Sequence, residues 1–331
     1  MVGEEHGVKM ERYDLIIVGG GPAGLTAGMY SARRKLKTLI ITMNVGGQAL
    51  LSQNICNYPG FLNVSGINLV NRMKKQVEKA GAEITLDEVK QILPKENEFL
   101  VKTETRDFLA RALILAFGKK PRVLNVPGER EFIGRGVSYC ATCDAPLFKN
   151  KIVAVIGGGN SALDAALLLS EFASKVYLIH RRDEFRGFEA LVEEVKERKN
   201  IELMMSCIVT EIKGKEKVNS IVVKDLKTEQ AREVNVDGIF VEIGYEVDPS
   251  LVKGLVKLDE YNQIVVDSKC RTFYPDSDKI RPGVFAAGDV TNVVFKQIVV
   301  AAGEGAKAAL AAYNYLHGVE DFQIVGDWLK R

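Results

Sequence analysis

The chain contains the same strand, glycine turn, helix and strand pattern in two places, and this duplication limits what it can fold into. In the first copy, YDLIIVGGGPAG at 13–24, a short apolar strand from Leu15 to Val18 runs into Gly19, Gly21 and Gly24. A helix-compatible stretch, LTAGMYSARR, comes next, and then a second strand, TLIIT, at 38–42. The plan restarts at Lys151, where KIVAVIGGGNSALDAALLLSEFASKVYLIHRR carries a strand into Gly157, Gly159, Asn160, Ser161 and Ala162, then a helix and a strand ending near His180. After each copy come a helix, a strand, a hairpin-like polar stretch and a buried strand ending in glycine, ALILAFG at 112–118 and GIFVEIG at 238–244. A glycine triplet alone also makes ordinary turns. Between a strand and a helix it has the setting of a dinucleotide site. The first glycine permits the tight turn, the second lets the backbone approach a pyrophosphate, and the third small residue allows close helix packing. The helix N-terminus then offers free N–H groups and the positive end of its dipole to the anion. The fold class expected is α/β, with two Rossmann-like dinucleotide-binding domains.

A chain of 331 residues has room for two such domains. A net charge of +2 argues against a general nucleic-acid or membrane-surface binder. The N-terminal MVGEEHGVKMER has no apolar signal core, and no apolar run approaches the ~18 residues of a membrane span, so a cytoplasmic location is expected. The five cysteines, Cys56, Cys140, Cys143, Cys207 and Cys270, are odd in number and scattered, unlike a secreted disulfide framework. Only SYCATCDAPLF brings two close together, Cys140 and Cys143, with Asp144 next. Such a pair could be half of a zinc site, a buried spectator pair or a redox disulfide. No second CxxC exists and His6, His180 and His317 are not at ligand spacing, so no metal site is expected.

The two turns differ in the residues beyond them. An NAD site usually places an acidic residue about 20 positions past the glycines, for the ribose 2′-hydroxyl. The second copy instead ends in HRRDEFR, with Arg181 and Arg182 at that place and Arg186 one helical turn on. Guanidinium groups match a 2′-phosphate, each charge-assisted contact being worth ~1.5–3 kcal/mol, so NADPH is favoured over the alternative of a solvated basic strand end. The first copy ends at Thr42-Met43-Asn44, with neither signal, and leads into GGQ (Gly46, Gly47, Gln48) and then NYPGF from Asn57. Near the C-terminus, RPGVFAAGDVTN would bring Asp289 beside a second dinucleotide, and a long helix starting near Gln297 could aim its N-terminus at a ring that becomes anionic on reduction. Flavin is such a ring, although a strand, turn and helix closing a core would use the same residues.

Taken in order and spacing, GGGPAG, GGQ, CATCD, GGGNSA, HRRxxxR and GVFAAGDV resemble the low-molecular-weight thioredoxin reductase family over nearly the whole chain. The resemblance implies a discontinuous FAD-binding domain, 1–118 and 248–331, and an inserted NADPH-binding domain, 119–247, carrying the redox disulfide. It also implies a homodimer. By similarity Gly19, Gly21 and Gly24 hold the FAD pyrophosphate. Gly47, Gln48, Asn57, Asp289, Lys296 and Gln297 belong to the FAD site, with Gln297 near the flavin ring. Gly157, Gly159, Asn160, Ser161, Ala162, His180, Arg181, Arg182 and Arg186 belong to the NADPH site. Cys143 is the flavin-facing thiol, Cys140 the thiol that attacks a protein disulfide, and Asp144 the acid/base residue. The activity implied is electron transfer from NADPH through FAD and Cys140–Cys143 to thioredoxin or a similar, glutaredoxin-like protein.

Some positions depart from the family pattern. Lys296 stands where an arginine is usual, Asp164 replaces a glutamate, AFG at 116–118 replaces ATG, and APLF comes after CATCD in place of glycine and two aromatics. The last concerns the partner more than the chemistry. A flavoenzyme reducing ferredoxin or oxygen without the cysteines, and a non-catalytic nucleotide sensor, are the competing readings. A preceding thiol-disulfide domain is not expected, because the first glycine turn begins within the first 20 residues. Both the cysteine pair and the nicotinamide site lie on the inserted segment, so alternate access to one flavin calls for rotation about FGKKP at 117–121 and IGYEVDP at 243–249. Cys56, Cys207, Cys270, Tyr313 and Tyr315 are read as packing or surface residues.

Overall fold

The structure, a computed structural model, describes residues 10–51, 55 and 57–319, without the side chains of 51 and 143. Its chain divides into two compact units. Among the described residues one contains 10–50, 55, 57–119 and 247–319, and the other is built from 120–246 together with residue 51.

The first unit opens with β1 (Glu11–Gly20), α1 (Pro22–Arg33) and β2 (Thr38–Val45). Pro22 sits at the first helical position of α1, where its missing N–H costs nothing and its fixed φ suits the helix. A 3₁₀ turn (Gly47–Leu51) leads on to α2 (Gly66–Ala80) and β3 (Glu83–Leu86). α2 starts where the Ser65 side chain accepts the Asn68 N–H at 3.3 Å, and it stops at left-handed Gly81. The hairpin β4 (Val89–Pro94) and β5 (Phe99–Thr103) then returns to β6 (Asp107–Leu115).

The second unit begins with the short β7 (Lys120–Pro121) and β8 (Val137–Ser138), then the one-turn helix α3 (Ala141–Asp144). After these come β9 (Ile152–Ile156), α4 (Asn160–Ser170), β10 (Lys175–His180), α5 (Glu189–Glu197) and β11 (Ile201–Met205). An antiparallel sheet of β12 (Cys207–Gly214), β13 (Val218–Asp225) and β14 (Ala231–Asn235) precedes β15 (Gly238–Val241) and β16 (Tyr245–Glu246). The main sheet is parallel, in the order β11-β10-β9-β15-β8. Along β9 successive side chains face opposite ways. Val153 and Val155 pack against α4, while Ala154 and Ile156 pack against the antiparallel sheet. Apolar cover on both faces is what a parallel sheet requires.

The chain then returns to the first unit with β17 (Arg271–Phe273), β18 (Ile280–Ala286) and α6 (Ile298–Leu316). Its eight-stranded sheet runs β17-β18-β6-β1-β2-β3, with the hairpin attached to β6. The same alternation recurs on β1, where Leu15 and Ile17 face α1 and α6 while Ile16 and Val18 face Val252, Val256 and Ile264. A Cβ at Gly305 would run into the backbone of Ala23, so glycine here lets α6 approach α1 closely. In each unit the central strand, β1 or β9, has parallel neighbours on both sides that connect in opposite directions. That switch point is where open α/β sheets bind ligands.

Candidate active site

At the end of β1 the glycines do three different things. A Cβ at Gly19 would strike the Ala116 carbonyl at the end of β6, and one at Gly24 would strike the Gly19 carbonyl. These two are glycine for packing. Gly21, the N-cap of α1, has no protein atom within 4 Å of where its Cβ would lie, and no side chain caps the helix. The space ahead of it is open to an anion. Gly20 N donates to Thr42 Oγ1 at 2.9 Å, and Gly46 N to the Gly20 carbonyl at 2.7 Å. Gly47 N is held by Asn44 Oδ1 at 2.9 Å, and a Cβ there would lie 3.5 Å from the Gly21 Cα. GGQ is thus folded onto the turn.

From the C-terminal segment, a Cβ at Gly288 would meet Ala23 at 2.9 Å, so Gly288-Asp289 also reaches the start of α1. The buried Glu304 holds Gly288 N at 2.7 Å. Asp289 is half-buried, and burial pushes its carboxyl up against the opposing pull of Lys296 and Lys119. Lys296 does not project outward. Its ammonium donates to the carbonyls of Thr291 at 2.6 Å and Asp289 at 3.3 Å, and burial pushes it down. Gln48 Nε2 donates to the Lys119 carbonyl at 2.7 Å, and Asn57 Nδ2 to Gln297 Oε1 at 3.0 Å, beside the uncapped N-terminus of α6.

The second turn repeats this geometry. A Cβ at Gly157 would strike the Glu242 carbonyl and Ala162, one at Gly158 would strike the His180 ring, and Gly159 has nothing within 4 Å. Gly159 caps α4 with no side-chain cap, as Gly21 caps α1. HRRDEFR folds back over the turn: Arg186 N donates to the Gly158 carbonyl at 2.8 Å, and Phe188 N to Asn160 Oδ1 at 2.8 Å. Ser161 is exposed. His180 is 7% exposed and stacks on Phe185 with ring centroids 5.6 Å apart. Burial, aided by the charges of Arg182, Arg181 and Arg186, holds its imidazole below the ordinary 6.5, and its Nε2 has no partner among the described residues. Arg181 and Arg186 are exposed and Arg182 half-buried, and none of the three forms an ion pair among the described residues. An orphaned buried nitrogen, three guanidiniums without an ion pair among the described residues and an open helix N-terminus fit a phosphorylated dinucleotide. The open cradle at Gly21 fits the pyrophosphate of FAD.

The cysteine motif lies in the same unit as the second turn. Cys140 is disulfide-bonded and precedes α3 in extended conformation. Its N–H donates to Ser138 Oγ at 3.1 Å and its carbonyl accepts the Asp144 N–H at 3.2 Å. The Cys143 side chain lies outside the described residues, as does Cys56. Asp144 is half-buried. Tyr139 is braced by its hydroxyl on the buried Glu129 at 2.9 Å, and its carbonyl accepts the Tyr245 hydroxyl at 3.2 Å. Glu242, just past β15, accepts the Ala141 N–H at 3.4 Å, and burial pushes its carboxyl up to about 7. Cys207 and Cys270 are free and buried, and burial pushes the Cys270 thiol up to about 12. Among the described residues no group of three or more His, Cys, Asp or Glu is placed to hold a metal, and no helix is long and apolar enough to cross a membrane.

Thr42, Glu129, Glu242 and Glu304 were not singled out by sequence reasoning. For two of them a signal existed, an acid ending the apolar strand GIFVEIG and an acid inside the alanine-rich AAGEGAKAAL.

The family described as pyridine nucleotide-disulphide oxidoreductase matches residues 13–305. The thioredoxin reductase of Treponema pallidum (strain Nichols) is 41% identical over 311 residues, which cover 93% of this chain and 99% of that protein. Among solved structures, the thioredoxin reductase of Lactococcus lactis superposes with a TM-score of 0.75 at 38% identity, over 92% of this chain and 99% of the other. That of T. acidophilum gives 0.72 at 38% identity, over 92% and 98%.

Proposed function

The chain belongs to the pyridine nucleotide-disulphide oxidoreductase family, and from that premise we propose that it is an NADPH-dependent flavoprotein that reduces the disulfide of thioredoxin or a similar small redox protein. The observation that carries this reading is the disulfide-bonded Cys140 in the same unit as a dinucleotide turn overhung by three arginines that form no ion pair among the described residues. When bound, NADPH and FAD supply a hydride and a two-electron relay to a disulfide.

The chain's own residues bind, orient and move protons. Gly21 and the N-terminus of α1 receive the FAD pyrophosphate, with Gly19 and Gly24 keeping the turn tight and Gly47, Gln48, Asn57, Asp289, Lys296 and Gln297 around it. Gly157, Gly159, Asn160, Ser161 and Ala162 form the corresponding NADPH turn. Arg181, Arg182 and Arg186 select the 2′-phosphate, and the buried His180 supports the turn from beneath. Cys140 as thiolate attacks one sulfur of the partner disulfide to form a mixed disulfide, and Cys143 displaces the partner as a dithiol. Asp144 moves the proton.

Because the cysteines and the second turn belong to one unit and FAD to the other, the reading includes rotation about residues 117–121 and 243–249, in a homodimer. A crosslink between the units that left turnover unchanged would remove the rotation from it. The decisive experiment is an anaerobic NADPH titration with a panel of oxidised thioredoxin- and glutaredoxin-like proteins. Cys140→Ser is expected to be bleached by NADPH yet to reduce no partner, and partner reduction by that variant would refute the disulfide route.

A further inference from the structure

In the second unit, three neighbouring strands end in different chemistry. β9 runs into Gly157 of the nucleotide turn, and β8 leads through Tyr139 to Cys140. β15, hydrogen-bonded between them, ends at Val241, and the next residue is Glu242. On the β9 side the Glu242 N–H donates to the Ile156 carbonyl at 2.8 Å, and its own carbonyl is the atom a Cβ at Gly157 would strike. On the β8 side the register pairs Phe240 with Ser138, which brings Glu242 level with Cys140. Its side chain reaches that way, with Oε1 3.4 Å from the N–H of Ala141.

We propose that Glu242 is a positioning residue for the redox cysteines, its carboxyl holding the start of the cysteine helix and taking up and releasing a proton as the Cys140 disulfide opens and closes. This rests on the proposed redox role of Cys140 and adds a group outside CATCD. Opening a disulfide with two electrons and one proton leaves one thiol and one thiolate. The thiolate is a second negative charge beside a half-buried carboxylate, and like charges so placed are not both retained. Two electrons and two protons therefore enter, one proton on sulfur and one on Glu242. When the dithiol reduces a partner disulfide and closes again, both protons leave with the partner's two thiols, and Glu242 is a carboxylate once more.

Burial lifts Glu242 from 4.5 to about 7, against the Ala141 N–H, so its proton is exchangeable near neutrality; no charged side chain contributes. Besides the two cysteines, the charged and titratable groups on the adjoining elements are Asp144 on α3, Tyr139 with its partner Glu129, Lys120 on β7, Tyr245 on β16, whose hydroxyl donates to the Tyr139 carbonyl, and Arg122 with Glu246, which pair with each other at 3.5 Å.

The test uses the holoenzyme reduced with dithiothreitol and alkylated with iodoacetamide from about pH 5 to about pH 9, with Cys140 modification read by mass spectrometry. In the natural protein the rate should rise over a broad range, because ionised Glu242 holds back the thiolate. In Glu242→Gln it should rise in one sharper step, displaced downward by about one pH unit. Glu202→Gln, on the edge strand β11 at the far side of the sheet from β8, should match the natural profile. Difference infrared spectra of oxidised and reduced holoenzyme should gain a carboxylic C=O band on reduction, absent in Glu242→Gln. Coincident alkylation profiles with no such band would overturn the role of Glu242 alone. A Cys140 that no reductant exposes would overturn the redox reading and this inference with it.

Discussion

Replacing Glu242 by glutamine keeps the shape and removes the charge, and it should change the stability of the second unit only at one end of the pH scale. The carboxyl binds its proton more tightly folded than unfolded, because burial lifts it from 4.5 to about 7. Its contribution is therefore fully favourable below about pH 4.5 and is lost as pH rises toward 7, where the folded chain must hold a half-buried carboxylate. A rise from 4.5 to about 7 corresponds to about 3–4 kcal/mol at most. Glu242→Gln never carries that charge. It should lie within about 1 kcal/mol of the natural protein near pH 5 and exceed it by about 3 kcal/mol above pH 8. Hydrogen exchange read by mass spectrometry on the β9 and β15 peptides gives the opening free energy of this unit directly. An equal difference between the two proteins at pH 5 and pH 8.5 would show that Glu242 is not held above its ordinary range, and the burial argument would fail.

The two glycine turns give further expected outcomes. Removing Arg181 and Arg182 together should cut kcat/KM for NADPH by roughly a hundredfold or more while sparing NADH, since each guanidinium contact to a phosphate is worth about 1.5–3 kcal/mol. Equal losses with both nucleotides would refute the assignment. A side chain at Gly21 starts into space with no protein atom within 4 Å, so Gly21→Val should keep its circular dichroism but purify with at least about tenfold less FAD. A fully yellow variant would mean that the cradle is not where the pyrophosphate sits.

The glycine turns were legible because their meaning is local. Strand, turn and helix lie within a few tens of residues, and the apolar runs around Leu15–Val18 and 152–156 announce strands buried on both faces. HRRDEFR was legible for the same reason, being the end of the next strand. What stayed hidden depends on distant register. Glu242 acquires significance only because β15 pairs with β8 so that Phe240 meets Ser138, a pairing across more than a hundred positions that no spacing rule supplies. Glu304 looked like one more residue of an alanine-rich helix until the fold put it on Gly288 N. Thr42 was noted only for not being acidic or basic, whereas its hydroxyl accepts the Gly20 N–H. Lys296 read as standing in the place of a usual arginine, with nothing to show that short-range carbonyls capture its ammonium in the 289–291 loop.

The carbonyl that a side chain at Gly157 would hit belongs to Glu242. One peptide therefore serves both as the floor of the second glycine turn and as the anchor of the carboxyl that accepts the Ala141 N–H. A substitution at Gly157 made to abolish nucleotide binding cannot act on binding alone, since it must also shove the backbone that aims Glu242 at Ala141. Gly159 has no such neighbour. On the proposed reading a side chain there should lower nucleotide affinity without disturbing the sulfur chemistry, and kinetic comparisons between variants at 157 and 159 would separate the two effects.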